Sequence, residues 1–247
     1  MLSPAWIVAR KETIDSWRDR RAVLSALIYA LMGPAVVFMV SLATRGNAVL
    51  AGMMSVFTLV AAFVGGMNVA MDTMSGERER QSLVPLLLNP VGRREILMGK
   101  WLAVSAFAAA GLIINLAGFA VLFPGALRLL PQMAAGVLPL ALLAAALQLW
   151  ISTVCRGVKE AQTYLSLLVF LPMGLGMFVV FHPAGAQQWL PFLPVLGQQL
   201  QLELWMKGGA APFARAAALG CFTWALALLV LRAAASRLRR DEIVYGN

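Results

Sequence analysis

The chain has 247 residues, of which 61% are hydrophobic and 13% are charged, and its formal net charge is +9. Soluble domains carry about 25% charged residues, so this composition excludes an ordinary soluble protein and indicates a chain that crosses a membrane several times. No internal repeat or long linker divides the sequence, so we expect a single membrane domain over residues 1–247.

The N-terminal segment, residues 1–21, predicts an amphipathic helix that lies in the membrane interface. Apolar side chains recur there near helical spacing, with basic side chains around them. The tryptophans would anchor this helix in the membrane interface. The segment lacks the apolar core of a cleavable signal peptide. An ordinary lead segment with no partner contact is the alternative interpretation. The residues predicted to act here are Trp6, Arg10, Lys11, Trp17 and Arg18.

Six continuously apolar runs follow, each long enough for a helix to cross a hydrocarbon core of about 30 Å. Membrane strands are excluded because their residues would alternate between apolar and polar. The fold class is therefore an all-α membrane protein with six transmembrane helices. The predicted spans cover residues 22–43, 48–71, 101–123, 133–154, 161–181 and 216–235.

Basic residues concentrate on one side of this topology. Sixteen of the 20 lysines and arginines fall in the N-terminal segment, the loops after spans 2 and 4, and the C-terminus. Because cytoplasmic loops carry such an excess, we expect a multi-pass protein of the plasma (inner) membrane with both termini in the cytoplasm. Topology and attraction to anionic lipids account for the charge, so nucleic-acid binding is not expected. The four basic residues on the opposite side are Arg45, Arg128, Lys207 and Arg215.

Small and polar residues recur at steps of three or four along the second span, which aligns them on one helix face. This stripe lines either a transport path or a close seam between packed helices. Two methionines beside glycines on the fifth span would suit an amphiphilic substrate. The predicted path-lining residues are Ser55, Thr58, Asn68, Asp72, Met173 and Met177.

The loop between spans 2 and 3, residues 76–95, reads GERERQSLVPLLLNPVGRRE and is densely charged. Ser82 is a suitable N-cap for a short helix, and Asn89 followed by Pro90 would end that helix. Its leucines, rimmed by charge, would form a docking surface for a partner. The alternative is that the leucines tuck under the bundle and the charges only set the topology.

The stretch GERERQSLVPLLLNPVGRREILMGKWLA, together with the N-terminal ARKETIDSWRDRR, resembles the permeases of ABC type-2 exporters. The shared pattern is Gly-Glu-basic-Glu, a Leu-Leu pair, a residue before Pro, a basic pair, and Gly-Lys at the next span. The form LLLNPVGRREILMGK is most similar to the NatB-like branch of sodium-efflux permeases. The chain departs from this branch at Val84 and in the short connection between spans 1 and 2.

The resemblance implies a permease subunit that pairs with a second copy, forms the translocation path as a dimer, and couples to a separate cytoplasmic ABC ATPase. ATP and Mg²⁺ would bind to that ATPase, and this chain would hold no cofactor. The loop helix would transmit nucleotide-driven closure, its glutamates pairing with basic groups on the ATPase and its leucines filling a groove there. The predicted coupling residues are Glu77, Arg78, Glu79, Leu83, Leu86, Leu87, Asn89 and Pro90.

Residues 182–211 are too polar and proline-rich to span the membrane, yet too apolar for a free loop. We expect a re-entrant pair of short helices whose irregular backbone neighbouring protein buries. The resembling family places such a hairpin on the outer face, before the last span. His182 has no second histidine as a fellow ligand, so no metal site is predicted.

The sequence shows no phosphate-binding loop, nucleophile motif or cluster of metal ligands, so we expect no catalytic residues and no enzyme activity on this chain. The substrate is either sodium, as the resemblance implies, or a lipid, amphiphile or hydrophobic drug, because the spans hold little charge at depth. The expected partners are the ATPase, a second copy and membrane lipids. The alternative functions are a secondary transporter and a non-transporting membrane scaffold or assembly factor.

Overall fold

The computed structural model describes residues 3–43, 47–82, 91–181, 190–209 and 213–238. Within these ranges all regular secondary structure is helical. Six helices are long and apolar enough to cross a membrane. The all-α class and the six predicted spans are therefore confirmed.

The helices follow one another with short connections. A lead helix precedes the spans, and the second span changes its helical geometry near its end. The first half comprises the lead helix Pro4–Arg18, span 1 at Arg20–Ala43, and span 2, made of Asn47–Val64, Met67–Ala70, a π-helical segment Met71–Gly76 and a last turn Glu77–Glu79. The second half comprises span 3 at Arg93–Leu122, a 3-10 turn Pro124–Leu129, span 4 at Leu130–Val154, span 5 at Val158–Phe181, a 3-10 turn Leu190–Phe192, a short helix Leu196–Met206 and span 6 at Phe213–Arg237.

Span 3 begins eight residues before its predicted start at residue 101. Its 30 residues give a length of about 45 Å at 1.5 Å per residue, which exceeds the hydrocarbon core of about 30 Å. The prediction was wrong at this end because Arg93, Arg94 and Lys100 interrupt the apolar run. The helix instead continues through them.

Span 2 is the central helix of the bundle. In its most apolar window 78% of the residues are buried, against 22% for spans 1, 5 and 6. Gly65 lets span 3 pack closely against span 2, because a Cβ at this position would lie 3.1 Å from the Cα of Ala108 in span 3. Spans 1, 5 and 6 thus form the outside of the chain, where their apolar side chains are available to lipid or to another subunit.

The short helix Leu196–Met206 is held to its neighbours by buried glutamines. Gln199 donates a 2.9 Å hydrogen bond to the carbonyl of Gly176 in span 5, and Gln198 donates a 2.8 Å bond to the hydroxyl of Thr223 in span 6. Residues 182–189 lie outside the described ranges. The re-entrant arrangement expected for residues 182–211 therefore stays a prediction, although a 3-10 turn and a helix do occupy its second half.

Candidate functional site

A fully buried lysine joins three segments at one end of the bundle. The Lys100 Nζ atom lies 2.8 Å from a Glu77 carboxylate oxygen and 3.3 Å from a Glu12 carboxylate oxygen. It also donates a 2.7 Å hydrogen bond to the carbonyl oxygen of Thr73. These four residues are called the Lys100 cluster below. They connect span 3 with the lead helix and with the end of span 2.

The neighbouring glycine lets the lead helix approach. A Cβ at Gly99 would lie 2.6 Å from the Cβ of Val8 and 2.7 Å from the carbonyl oxygen of Ala5, so any larger residue would push the two helices apart. The Gly-Lys pair that the sequence shares with exporter permeases thus has a physical basis. Gly99 allows the contact, and Lys100 supplies the charge that Glu12 needs when it is buried there.

The charges of the Lys100 cluster are balanced by one further lysine. Lys11 Nζ lies 3.4 Å from the Glu12 carboxylate at the exposed edge of the cluster, so two ammonium groups face the two carboxylates. An ammonium group has three donors, and Lys100 finds an acceptor for each. Removing one partner of a buried pair costs about 3–5 kcal/mol because it leaves an uncompensated charge, so the buried charges of the cluster require all three segments to be in place.

The two residues after Glu77 bind other parts of the same end of the bundle. Arg78 donates hydrogen bonds of 2.5 Å and 2.7 Å to the carbonyl oxygens of Cys155 and Thr153, where span 4 ends. The Glu79 carboxylate accepts a 3.0 Å bond from the backbone N–H of Val158, the first residue of span 5. This part of the loop therefore fastens span 2 to both sides of the connection between spans 4 and 5.

Arg80 is the last charged residue of the GERER motif, residues 76–80, and it pairs with a residue of span 2. Arg80 lies 2.9 Å from a carboxylate oxygen of Asp72, and hydrogen bonding to that carboxylate raises the pKa of the Arg80 guanidinium above its usual value. Span 2 widens into its π-helical segment at Asp72. Such segments occur frequently at functional sites.

The structure brings together the predicted coupling residues Glu77, Arg78 and Glu79. Glu77 is almost completely buried and bonded to Lys100, so the contact that the structure shows for it is internal. Its predicted pairing with the ATPase, like the coupling role of the whole set, stays a prediction. The remaining coupling residues lie outside the described ranges: Leu83, Leu86, Leu87, Asn89 and Pro90.

The lead helix turns its tryptophans outward. Trp6 and Trp17 are 52% and 61% exposed, while Ala9 and Glu12 are buried. The Trp17 ring lies 5.9 Å from that of Phe107 in span 3. The predicted residues Arg10, Lys11 and Arg18 are also exposed. This arrangement suits an interfacial helix, whose position at a membrane surface stays a prediction, and it shows that the lead helix packs on the bundle.

The predicted stripe on span 2 separates into two parts. Ser55 and Thr58 are fully buried, and their hydroxyls donate to carbonyl oxygens of their own helix at 2.7 Å and 2.8 Å. Asn68 donates a 2.7 Å hydrogen bond to the Ser25 hydroxyl of span 1. Asp72 is exposed and binds Arg80. The part of the stripe with Ser55 and Thr58 is thus a packing seam in this conformation. The part with Asn68 and Asp72 reaches the surface.

The predicted methionines of span 5 also differ from each other. Met177 packs with Val56, Val60 and Val64 of span 2, so spans 2 and 5 are neighbours. Met173 is 41% exposed on the outer side of span 5. Only Met177 therefore lies beside span 2.

An open cavity of about 400 Å³ lies between the lead helix and spans 1, 2 and 5. Two of the predicted path-lining residues, Asn68 and Asp72, contribute to its walls. Asp15 and Asp19 add two further carboxylates, and Arg21 is the basic residue among the lining side chains. Its walls are thus polar and rich in carboxylates. Within the described part of the chain no three His, Cys, Asp or Glu residues group to hold a metal ion.

Sequence reasoning missed Glu12 and Lys100 as site residues. In the basic-residue distribution Lys100 is one of the charges in the loop after span 2, which predicts topology alone. The available signal was its place seven residues after Arg93 in an otherwise apolar helix, together with the Gly-Lys motif. Its pairing with Glu12 joins positions 88 residues apart, a distance that local sequence patterns do not reveal.

Comparison with known proteins gives consistent matches. A family model described as "ABC-2 family transporter protein" matches residues 6–202. The "ABC transporter permease protein NatB" of Bacillus subtilis is 38% identical over 152 residues, which are 56% of this chain and 39% of that protein. The "Probable ABC transporter permease protein NosY" of Pseudomonas aeruginosa is 30% identical over 139 residues, 54% of this chain and 49% of that protein.

A NosY permease of Stutzerimonas stutzeri, also named as probable, is 30% identical over 122 residues, 47% of this chain and 42% of that protein. The matched region thus spans less than half the length of each of these curated relatives. All three are named as permeases.

Proposed function

Because the chain belongs to the ABC-2 family of transporter proteins, we propose that it is the permease subunit of an ATP-driven exporter in the plasma (inner) membrane. Two copies form the translocation path, and each binds a separate cytoplasmic ATPase that carries ATP and Mg²⁺. The chain itself performs no catalysis.

The observation that carries this proposal is the set of contacts made by the GERER motif and the Lys100 cluster. Through Glu77, Arg78 and Glu79 the end of span 2 is fixed to the lead helix and to spans 3, 4 and 5. The loop that continues from this motif is the segment expected to meet the ATPase. A force applied to that loop would therefore reach five helices at once, as transmission of nucleotide-driven closure requires.

The orientation proposed for the chain is supported by the same contacts. They gather the lead helix, the loop after span 2 and the connection after span 4 at one end of the bundle. Arg93 adds the end of span 6 by donating a 2.8 Å hydrogen bond to the carbonyl oxygen of Leu238. These are the four segments with the excess of basic residues, which favours a cytoplasmic location.

The test of coupling is the charge reversal Glu79→Arg in the chain purified together with its proposed ATPase. Glu79 is exposed, and its one described hydrogen bond comes from the backbone N–H of Val158, so the variant should lose this bond but still insert and fold. Like charge placed across an interface costs several kcal/mol, so we expect loss of ATPase co-purification or of substrate-stimulated ATP hydrolysis. Arg128→Glu, an exposed reversal at the opposite end of the bundle, is the matched control.

Two results would contradict the proposal. If Glu79→Arg retains both ATPase binding and stimulated hydrolysis, the charges of the loop serve only to set the topology. An equal loss in Arg128→Glu would show that the effect is not local to the loop. A membrane scaffold, the alternative function, would keep its assembly role when ATP hydrolysis is abolished in the partner.

For the substrate we propose a cation, either sodium or an amphiphile with a cationic head. The cavity between the lead helix and spans 1, 2 and 5 supports this proposal, because Asp15, Asp19 and Asp72 line it. Asp72 is paired with Arg80 and Asp15 lies 3.8 Å from Lys11, so Asp19 is the carboxylate of the three that forms no ion pair among the described residues. The resemblance of LLLNPVGRREILMGK to the branch of sodium-efflux permeases favours sodium. The contact of Met177 with the valines of span 2 favours an amphiphile.

Reconstituted vesicles distinguish the two candidates. If the substrate is sodium, sodium should stimulate ATP hydrolysis more than potassium does. If the substrate is a cationic amphiphile, a long-chain quaternary ammonium should stimulate ATP hydrolysis. The double variant Asp15→Asn, Asp19→Asn should raise the concentration needed for half-maximal stimulation. Stimulation by an anionic or neutral amphiphile alone would exclude a cationic substrate.

A further inference from the structure

A groove on the outer surface of the bundle runs between the start of span 3 and the end of span 6. Its volume is about 420 Å³, within the range of about 300–1,000 Å³ typical of small-molecule sites. Leu97 and Met98 form one wall, and Leu228 and Leu231 form the other. The walls are thus apolar and come from two antiparallel membrane spans.

Two arginines line the same groove, Arg94 from span 3 and Arg232 from span 6. Both are exposed, and neither forms an ion pair with a carboxylate among the described residues. The neighbouring Arg93 differs, because its guanidinium donates to the carbonyl oxygen of Leu238. The groove therefore combines two available guanidinium groups with an apolar channel.

We propose that this groove binds one anionic phospholipid of the cytoplasmic leaflet. The phosphate would lie between the guanidinium groups of Arg94 and Arg232, and one acyl chain would follow the leucines of the two spans. Guanidinium groups match phosphate oxygens in geometry and charge, and basic pockets between spans on the cytoplasmic side bind anionic headgroups. The inference rests on the proposed membrane orientation and not on the ATPase or the substrate.

The apolar walls select a lipid rather than a free phosphate ion. An inorganic phosphate or a soluble headgroup would satisfy the arginines but leave the half-buried Met98, Leu228 and Ala235 uncovered. A phospholipid covers both parts of the groove, and burial of its apolar surface adds to the attraction between the charges.

The test is native mass spectrometry of the purified chain in detergent, with phosphatidylglycerol or phosphatidylcholine of identical acyl chains added. We expect one tightly retained phosphatidylglycerol per chain and weaker retention of phosphatidylcholine. Arg94→Gln and Arg232→Gln should each lower the affinity for phosphatidylglycerol about fivefold, as expected for one basic residue near a membrane surface. Arg237→Gln, on the same helix but outside the groove, should change it little.

A second variant blocks the groove without changing its charge. Ser236 is exposed at the groove, so Ser236→Trp should remove phosphatidylglycerol binding while the protein stays folded. Glycerol 3-phosphate should compete only weakly, and strong competition by it would overturn the lipid assignment. Equal binding of the two lipids, or equal losses in Arg237→Gln and Arg94→Gln, would also overturn the proposal. So would disulfide formation between Ser236→Cys copies in vesicles, because a second chain would then cover the groove.

Discussion

At the scale of single residues, the function of the charged stretch after span 2 depends on what each charge contacts. Glu77 binds the buried Lys100, Arg78 binds the end of span 4, and Glu79 binds the start of span 5. The sequence predicted correctly that these residues form a dense charged group. It did not reveal their partners, because those lie in other helices that only the packed bundle brings near.

Lys100→Met should lower the free energy of unfolding by about 3–5 kcal/mol, since Glu77 would stay buried without its cation and Glu12 would keep only Lys11. Thermal unfolding in detergent, followed by size-exclusion fluorescence, measures the change. Lys159→Met is the control. Lys159 is exposed, and its ammonium group pairs with no described carboxylate, so its replacement should stay within about 0.5 kcal/mol.

The combined variant Lys100→Met, Glu12→Gln, Glu77→Gln should recover part of the lost stability, because no uncompensated charge would then be buried. A triple variant less stable than Lys100→Met would contradict the assignment of these residues to one ion-paired cluster.

At the scale of helices, the lead helix and span 3 show what sequence patterns predict well. The 3.6-residue periodicity and the apolar run identified both elements. The exact start of span 3 was missed because its first turns contain Arg93, Arg94 and Lys100, which apolar-run counting rejects. One of these is buried and paired, and the other two lie on the part of the helix that projects past the apolar region.

Gly99→Val should displace the lead helix from span 3, because even a Cβ at this position would lie 2.6 Å from the Cβ of Val8. Limited trypsin digestion measures the displacement as faster cleavage at Arg10 and Lys11. Gly174→Val is the matched control, since a Cβ at Gly174 meets no atom within 4 Å. Equal cleavage rates in both variants would show that the close contact is not needed to hold the lead helix.

At the scale of the whole molecule, composition and the apolar runs were enough to predict the helical class and the six spans, and the resemblance of the charged loop and the N-terminal segment predicted the transporter family. The outer position of spans 1, 5 and 6 was not predictable, because every span is apolar on most of its surface. Which faces are covered depends on long-range packing, such as the approach of Gly65 to span 3.

Cysteine labelling tests the proposed orientation. In a background with Cys155 and Cys221 replaced by serine, Arg128→Cys and Lys207→Cys should react with a membrane-impermeant maleimide added outside cells. Lys159→Cys should react only after the membrane is opened. External labelling of Lys159→Cys would reverse the orientation and remove the argument for ATPase docking at that end.

The proposed dimer follows from the presence of one charged loop per chain, since a transporter with two ATPases then needs two permeases. Native mass measurement of the complex with its ATPase should give two copies of this chain. A single permease chain bound to a fully active ATPase would contradict this arrangement.

The Lys100 cluster also has a consequence for how the protein is made. Glu12 leaves the ribosome 88 residues before Lys100, which at about 5–20 residues per second is a delay of roughly 4–18 s. Throughout that interval the lead helix lacks both Lys100 and span 3, the helix on which it packs. The contacts between the lead helix and span 3 can therefore form only after span 3 has been synthesised.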